Sequence, residues 1–185
     1  MKYFKLLFLS FLIIFYPSQI FASDKIIKQL KEGRKIVMIR HGYAPGNGDP
    51  ANFSKKDCST QRNLNERGIQ QSKIIGNFFK KNQIPVGIIL SSEWCRCKDT
   101  AFYAFQDFQT NSFLNSFYDL KFQKNKTKQI EDLKDYINKW NGKKNLILVT
   151  HFVIINELLN TSTNSGEMVI TDLEFNIIGK LKNKL

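Results

Sequence analysis

The chain has 185 residues and a formal charge of +12, from 28 Lys and Arg set against 16 Asp and Glu. Its lysines are scattered, with no basic arm and no aromatic-interleaved cluster. A dedicated nucleic-acid reader is therefore not expected, and the basic balance points to small anionic partners. Much of that charge accompanies a general bias toward Lys, Asn and Ile. No internal repeat, linker or low-complexity stretch interrupts the chain.

Residues 1–22 read as a secretory leader. Lys2 and Lys5 supply a positive start, residues 6–16 form an apolar run broken by Pro17, and Ile20-Phe21-Ala22 offers a small residue at the cleavage position. The run is shorter than the ~20 residues a spanning helix needs, so cleavage is expected and no stable membrane anchor remains. Residues 23–185 then suffice for one exported, periplasmic domain with a core of its own.

Within that domain, a short helix is expected over 24–32, closed by Gly33. A buried strand follows, Ile36-Val37-Met38-Ile39, apolar and largely β-branched. Residues 42–63 show no periodicity, and loops of that length in a compact domain are usually functional. A helix is predicted over 65–81, with Gly68, Ser72, Ile75, Gly76 and Phe79 on one face. Next come a strand over 86–90, a helix over 93–105, and an edge strand with a turn over 110–118. A helix over 126–140 is expected to end at Gly142. The strand over 145–150 leads into a helix over 153–159, and residues 167–173 and 175–181 read as a hairpin. This alternation predicts a three-layer α/β/α sandwich around a mostly parallel sheet.

Chemistry-bearing residues collect at the strand ends, where open α/β sheets bind ligands. The first strand ends in Arg40-His41-Gly42, the late strand in Thr150-His151, and these are the chain's two histidines. The middle strand runs into Ser91-Ser92, with Arg96 four residues later and then Thr100-Ala101. Asn63-Leu64-Asn65-Glu66-Arg67-Gly68 opens the long helix. Together these four ordered motifs resemble the histidine phosphatase (phosphoglycerate mutase-like) superfamily, and the loop after Arg-His-Gly is similar to its exported bacterial branch.

That resemblance implies a metal-independent phosphomonoester hydrolase with no cofactor. His41 would be the nucleophile that forms a phosphohistidine, and Arg40 and Arg96 the phosphate clamps. His151 would hold the phosphoryl group, and Gly42 would let the backbone approach it. Arg62 is a further candidate substrate contact. The substrate would be a small phosphorylated molecule such as an envelope or sugar phosphate. Phe152 stands where a phytase-type aspartate would follow the second histidine, and no glutamate follows the third strand. Asp119 is the first candidate for the proton donor, with Asp49 and Glu93 as competitors. Should the acid have been lost, the alternative is a catalytically weak phosphate- or anion-binding protein.

Of the three cysteines, Cys95 and Cys97 flank Arg96 on one helix and point to different sides. Cys58 is therefore expected to pair with one of them. A zinc site is disfavoured, because Cys-x-Cys on a helix fits tetrahedral ligation badly.

Overall fold

The computed structural model describes residues 19–182. The predicted leader lies outside them apart from its last four residues. Those four open helix α1 (Gln19–Glu32), which therefore starts earlier than the expected residue 24. Nothing after Pro17 breaks it, since no proline or glycine occurs between Gln19 and Glu32. Ile26 and Leu30, one turn apart, bury its inner face.

Six strands build one sheet: β1 (Ile36–Arg40), β2 (Val86–Ser91), β3 (Gln109–Thr110), β4 (Asn145–Thr150), β5 (Met168–Thr171) and β6 (Ile177–Leu181). Their spatial order is β3-β2-β4-β1-β5-β6. The first four run parallel, and β5 and β6 form the expected antiparallel hairpin at the other edge.

The continuous apolar runs of β1 and β4 follow from burial on both faces. Val37, Ile39, Ile147 and Val149 point into one cluster, with Ile26 and Leu30 of α1, Ile75 and Phe79 of α2 (Glu66–Lys81), and Cys97 and Ala101 of α3 (Cys95–Phe105). Ile36, Met38, Leu146 and Leu148 point into the other, with Leu133 and Ile137 of α5 (Lys126–Lys139) and Ile154 and Ile155 of α6 (Phe152–Leu159). This is the predicted three-layer sandwich. A single turn, α4 (Leu120–Gln123), precedes α5 and was not anticipated.

Two local expectations need correction. β2 is apolar in sequence, yet Gly87 and Ile88 are exposed. Its outer neighbour β3 has only two residues and covers only Leu90 and Ser91. Helix α5 does not end on a left-handed Gly142. The chain leaves at Trp140 in an extended conformation, and Gly142 packs under the Trp140 ring. Among the described residues no helix is long and apolar enough to cross a membrane.

Candidate active site

The register between β1 and β4 makes the site. Arg40 lies opposite Thr150, so the residues that leave the two strands, His41 and His151, emerge side by side. The His41 N–H donates to Thr150 O at 3.0 Å, and the two imidazoles stand edge to face with centroids 5.4 Å apart. Both rings are buried.

His41 Nδ1 lies 2.8 Å from Gly42 O. A carbonyl can only accept, so Nδ1 carries the proton and the lone pair sits on Nε2. Burial, then the positive field of Arg96, holds the His41 imidazole well below the ordinary histidine range; Arg40 and Arg62 add to this field. Burial and the same arginines do likewise for His151, together with His41 itself. Both rings therefore stay neutral at pH 7.

The sign of the resulting pH dependence follows. An unfolded imidazole binds a proton below about pH 6.5, and the folded one refuses it. The stability that each neutral ring confers is fully present above that pH and is lost as pH falls toward the depressed folded values. Each histidine then adds a slope approaching ~1.4 kcal/mol per pH unit. Urea unfolding at pH 7.5 and 5.5 should show markedly lower stability at the lower pH. Equal stabilities at the two values would contradict burial of two neutral rings.

A cavity of about 140 Å³ opens at these strand ends, lined by Arg40, His41, Arg62, Arg96, Asp119 and His151, with Asp49 among the remaining lining residues. The structure thus brings together nearly every side chain singled out from the sequence. Arg40 is anchored by NH1 donating to Thr163 O, with its guanidinium over the Phe152 ring. Arg62 is held by Ala44 O and Gly48 O. The Nε atoms of Arg40 and Arg96 are buried donors without a partner.

Gly42 does not do what was expected of it. It is not among the cavity's lining residues. A Cβ there would come within 2.5 Å of Gly68 O. The glycine is needed because the turn after β1 presses on the start of α2. Its N–H donates to Thr100 Oγ1, and its carbonyl fixes the His41 tautomer.

The long loop owes its shape to one carboxylate. Gly46 and Gly48 adopt left-handed conformations (φ 88° and 69°) that turn the chain inward at Asp49. Asp49 Oδ1 accepts from Arg96 NH1 at 2.7 Å and from the Arg62 N–H at 3.0 Å. Its Oδ2 accepts from Arg96 NH2 at 3.2 Å and from Trp94 Nε1 at 3.0 Å. Burial works against the charge on Asp49, but these partners outweigh it and hold the carboxyl below its ordinary range. The group remains a carboxylate and is not poised to release a proton.

Glu93 is also committed elsewhere, to Lys55 and Asn115, and does not line the cavity. Asp119 does line it, with Oδ1 close to Gly48. Of the three carboxyls weighed from sequence, it alone is both in the cavity and outside an ion pair.

Cys58 pairs with Cys95, which ties the long loop to the start of α3. Gln61 reinforces the tie by accepting from the Cys95 N–H. Cys97 is a buried thiol 3.5 Å from His151 Nε2, and burial pushes its pKa up to about 12. It is an inert neighbour at neutral pH. Among the described residues no group of three or more His, Cys, Asp or Glu side chains could hold a metal ion.

Sequence reasoning missed Trp94, whose indole fixes Asp49, and Asn115, which contacts both Ser92 and Glu93. Neither carries a local signal, because both act through partners more than 20 residues away in the chain.

The same sandwich occurs in solved phosphate-handling enzymes. The protein histidine phosphatase SixA complexed with tungstate superposes with a TM-score of 0.56 at 16% identity, over 80% of this chain and 97% of that one. Phosphoglycerate mutase from Thermus thermophilus gives 0.56 at 14% identity, over 80% and 98%. The mycobacterial glucosyl-3-phosphoglycerate phosphatase complexed with VO3 gives 0.52 at 14%, over 74% and 92%. At these identities the likeness is one of fold. In sequence, residues 36–114 match the family model of the histidine phosphatase superfamily (branch 1). That segment contains Arg40, His41, Arg62 and Arg96 and stops short of Asp119 and His151. No curated protein matches the chain.

Proposed function

We propose that the chain is a metal-independent phosphohydrolase of the histidine phosphatase superfamily, acting through a phosphohistidine on His41. The observation that carries this reading is the Nδ1–Gly42 hydrogen bond. It leaves the Nε2 lone pair of a neutral imidazole in a cavity bordered by three arginines.

In the first half-reaction His41 Nε2 attacks the phosphorus. The N–P bond forms as the ester P–O bond breaks, and the leaving alkoxide takes the proton of Asp119. In the second, water attacks the phosphoryl group and Asp119 recovers a proton from it. The N–P bond breaks, and inorganic phosphate and neutral His41 are regenerated. Arg40, Arg62 and Arg96 neutralise the equatorial oxygens.

The proposed substrate is a phosphomonoester of the cell envelope, met after export. The leader-like residues 1–22 and the Cys58–Cys95 disulfide support an oxidising compartment. A neighbouring cleft of about 360 Å³ is rimmed by Lys55, Lys124 and Lys128 and shares Ser116 with the catalytic cavity. It offers room for a polar or anionic leaving group.

Asp119→Asn is the test of the donor. With para-nitrophenyl phosphate and an alkyl phosphate compared in EDTA, the variant should lose about 10²–10³-fold on the alkyl ester. It should lose far less on a phosphoramidate such as phosphohistidine, whose leaving group departs easily. Equal losses on all substrates would remove Asp119 from that role. Absence of turnover by the wild type, with vanadate still bound, would turn the reading to an anion-binding protein.

A further inference from the structure

His151 sits at the end of a hydrogen-bond chain whose direction can be worked out from its far end. Lys55 Nζ and Asn115 Nδ2 both lie 2.6 Å from Glu93 Oε2. Burial works against the charge on Glu93, and Lys55 and Asn115 together outweigh it, so this oxygen only accepts. The Asn115 amide nitrogen must therefore face Glu93, and its Oδ1 must face the other way. There Oδ1 accepts from the Glu93 N–H at 2.9 Å, which can only donate, so the amide is fixed from both ends. The Ser92 hydroxyl, 3.1 Å away, gives its single proton to this oxygen. Ser92 Oγ is left with two lone pairs, which the Trp94 N–H at 3.3 Å, His151 Nε2 at 3.0 Å and the Cys97 side chain approach.

We infer that Glu93, through Asn115 and Ser92, is a positioning residue that keeps the proton of His151 on Nε2 and its lone pair on Nδ1. The two histidines of the site then hold opposite tautomers. His41 carries its proton on Nδ1 and attacks with Nε2, whereas His151 carries its proton on Nε2 and receives with Nδ1. Cys97, 3.5 Å from the same Nε2, is the one competing donor, and a thiol is the weaker partner.

The inference rests on the phosphatase reading and adds a role for His151. A phosphomonoester bound as its monoanion offsets the arginine field that keeps the ring neutral in the empty site and gives its O–H proton to Nδ1, so the phosphoryl group becomes a dianion facing an imidazolium. The new charge is shared along Nε2–H, Ser92 and Asn115 to the Glu93 carboxylate. Nothing is gained or lost from the pair, since the proton moves only from phosphate oxygen to ring nitrogen.

The test is the 15N spectrum of untagged, histidine-labelled protein, in which two rings are assigned by one His41→Asn variant. The wild type should show His41 as the Nδ1–H tautomer and His151 as the Nε2–H tautomer. Ser92→Ala should shift His151 to a mixture and lower kcat about tenfold with KM changed less than about twofold. Glu93→Gln, which keeps the side-chain shape, provides the same readout should Ser92→Ala fold poorly. A wild-type His151 protonated on Nδ1 would overturn the inference, as would variants that leave both its spectrum and kcat unmoved. A merely structural role would reduce the yield of folded protein without moving the tautomer. Failure of the wild type to hydrolyse any phosphoester would overturn the phosphatase reading, while the spectrum still decides the tautomer.

Discussion

The His41→Ala variant will hydrolyse para-nitrophenyl phosphate at least about 10⁴-fold more slowly than the wild type. The size of the effect follows from what is left in the cavity. His151 Nε2 is engaged by Ser92, and Cys97 is buried outside the cavity lining with its thiol pushed up to about 12. Tyr43, Ser116, Tyr118 and Ser165 also line the cavity, and among the described residues the Ser116 hydroxyl accepts from the Tyr118 N–H rather than meeting a base. The one other neutral imidazole in the cavity, His151, takes the phosphate's proton on Nδ1 rather than attacking phosphorus. The arginines remain, so vanadate or phosphate should still bind within a fewfold of the wild-type affinity. Turnover above that level in His41→Ala, with folding confirmed, would mean a different nucleophile.

Asp49→Ala will be the most destabilising single change in the loop. Both side chains of the Asp49–Arg96 pair are 4% exposed. Removing the carboxylate strands a buried guanidinium and also orphans the Trp94 indole N–H and the Arg62 amide. Loss of one member of a buried pair costs about 3–5 kcal/mol. For a chain of this size that corresponds to a fall in Tm of about 6–20 °C. The double variant Asp49→Leu/Arg96→Met should recover much of the loss, because the expensive state is the unpaired charge rather than the absence of the pair. It should remain inactive, since Arg96 is gone. A Tm for Asp49→Ala within about 2–3 °C of the wild type would show that water or another group compensates Arg96.

The division between what was and was not legible in the sequence has a physical basis. β1 and β4 were readable as continuous apolar runs and the longer helices by their apolar period, and both are local properties. His41 and His151 could be placed at strand ends on the same grounds. Their adjacency was implied only by the family resemblance, because it depends on β1 pairing with β4 at Arg40–Thr150, which no local pattern specifies. Residues 42–63 lack a period because no continuous apolar face shapes them, although Phe53 stacks on Trp94. Asp49, the Cys58–Cys95 bond and two left-handed glycines shape them, and each acts through a partner or a backbone conformation that no spacing rule encodes. Asp49 was weighed as a proton donor because its ion-pair partner, Arg96, lies 47 residues away. Gly42 was assigned to the ligand when the atom that forbids a side chain there is Gly68 O. β2 looked buried by composition, but β3 is too short to cover it.

Trapping the phosphoenzyme tests the central claim most directly. The mature protein would be mixed with para-nitrophenyl phosphate, quenched in alkali during the first turnovers and digested for mass analysis. The account predicts one phosphoryl adduct, on the peptide containing His41, stable in base and lost in acid, and absent from His41→Ala. An adduct on any other residue, or turnover that survives His41→Ala, would contradict it.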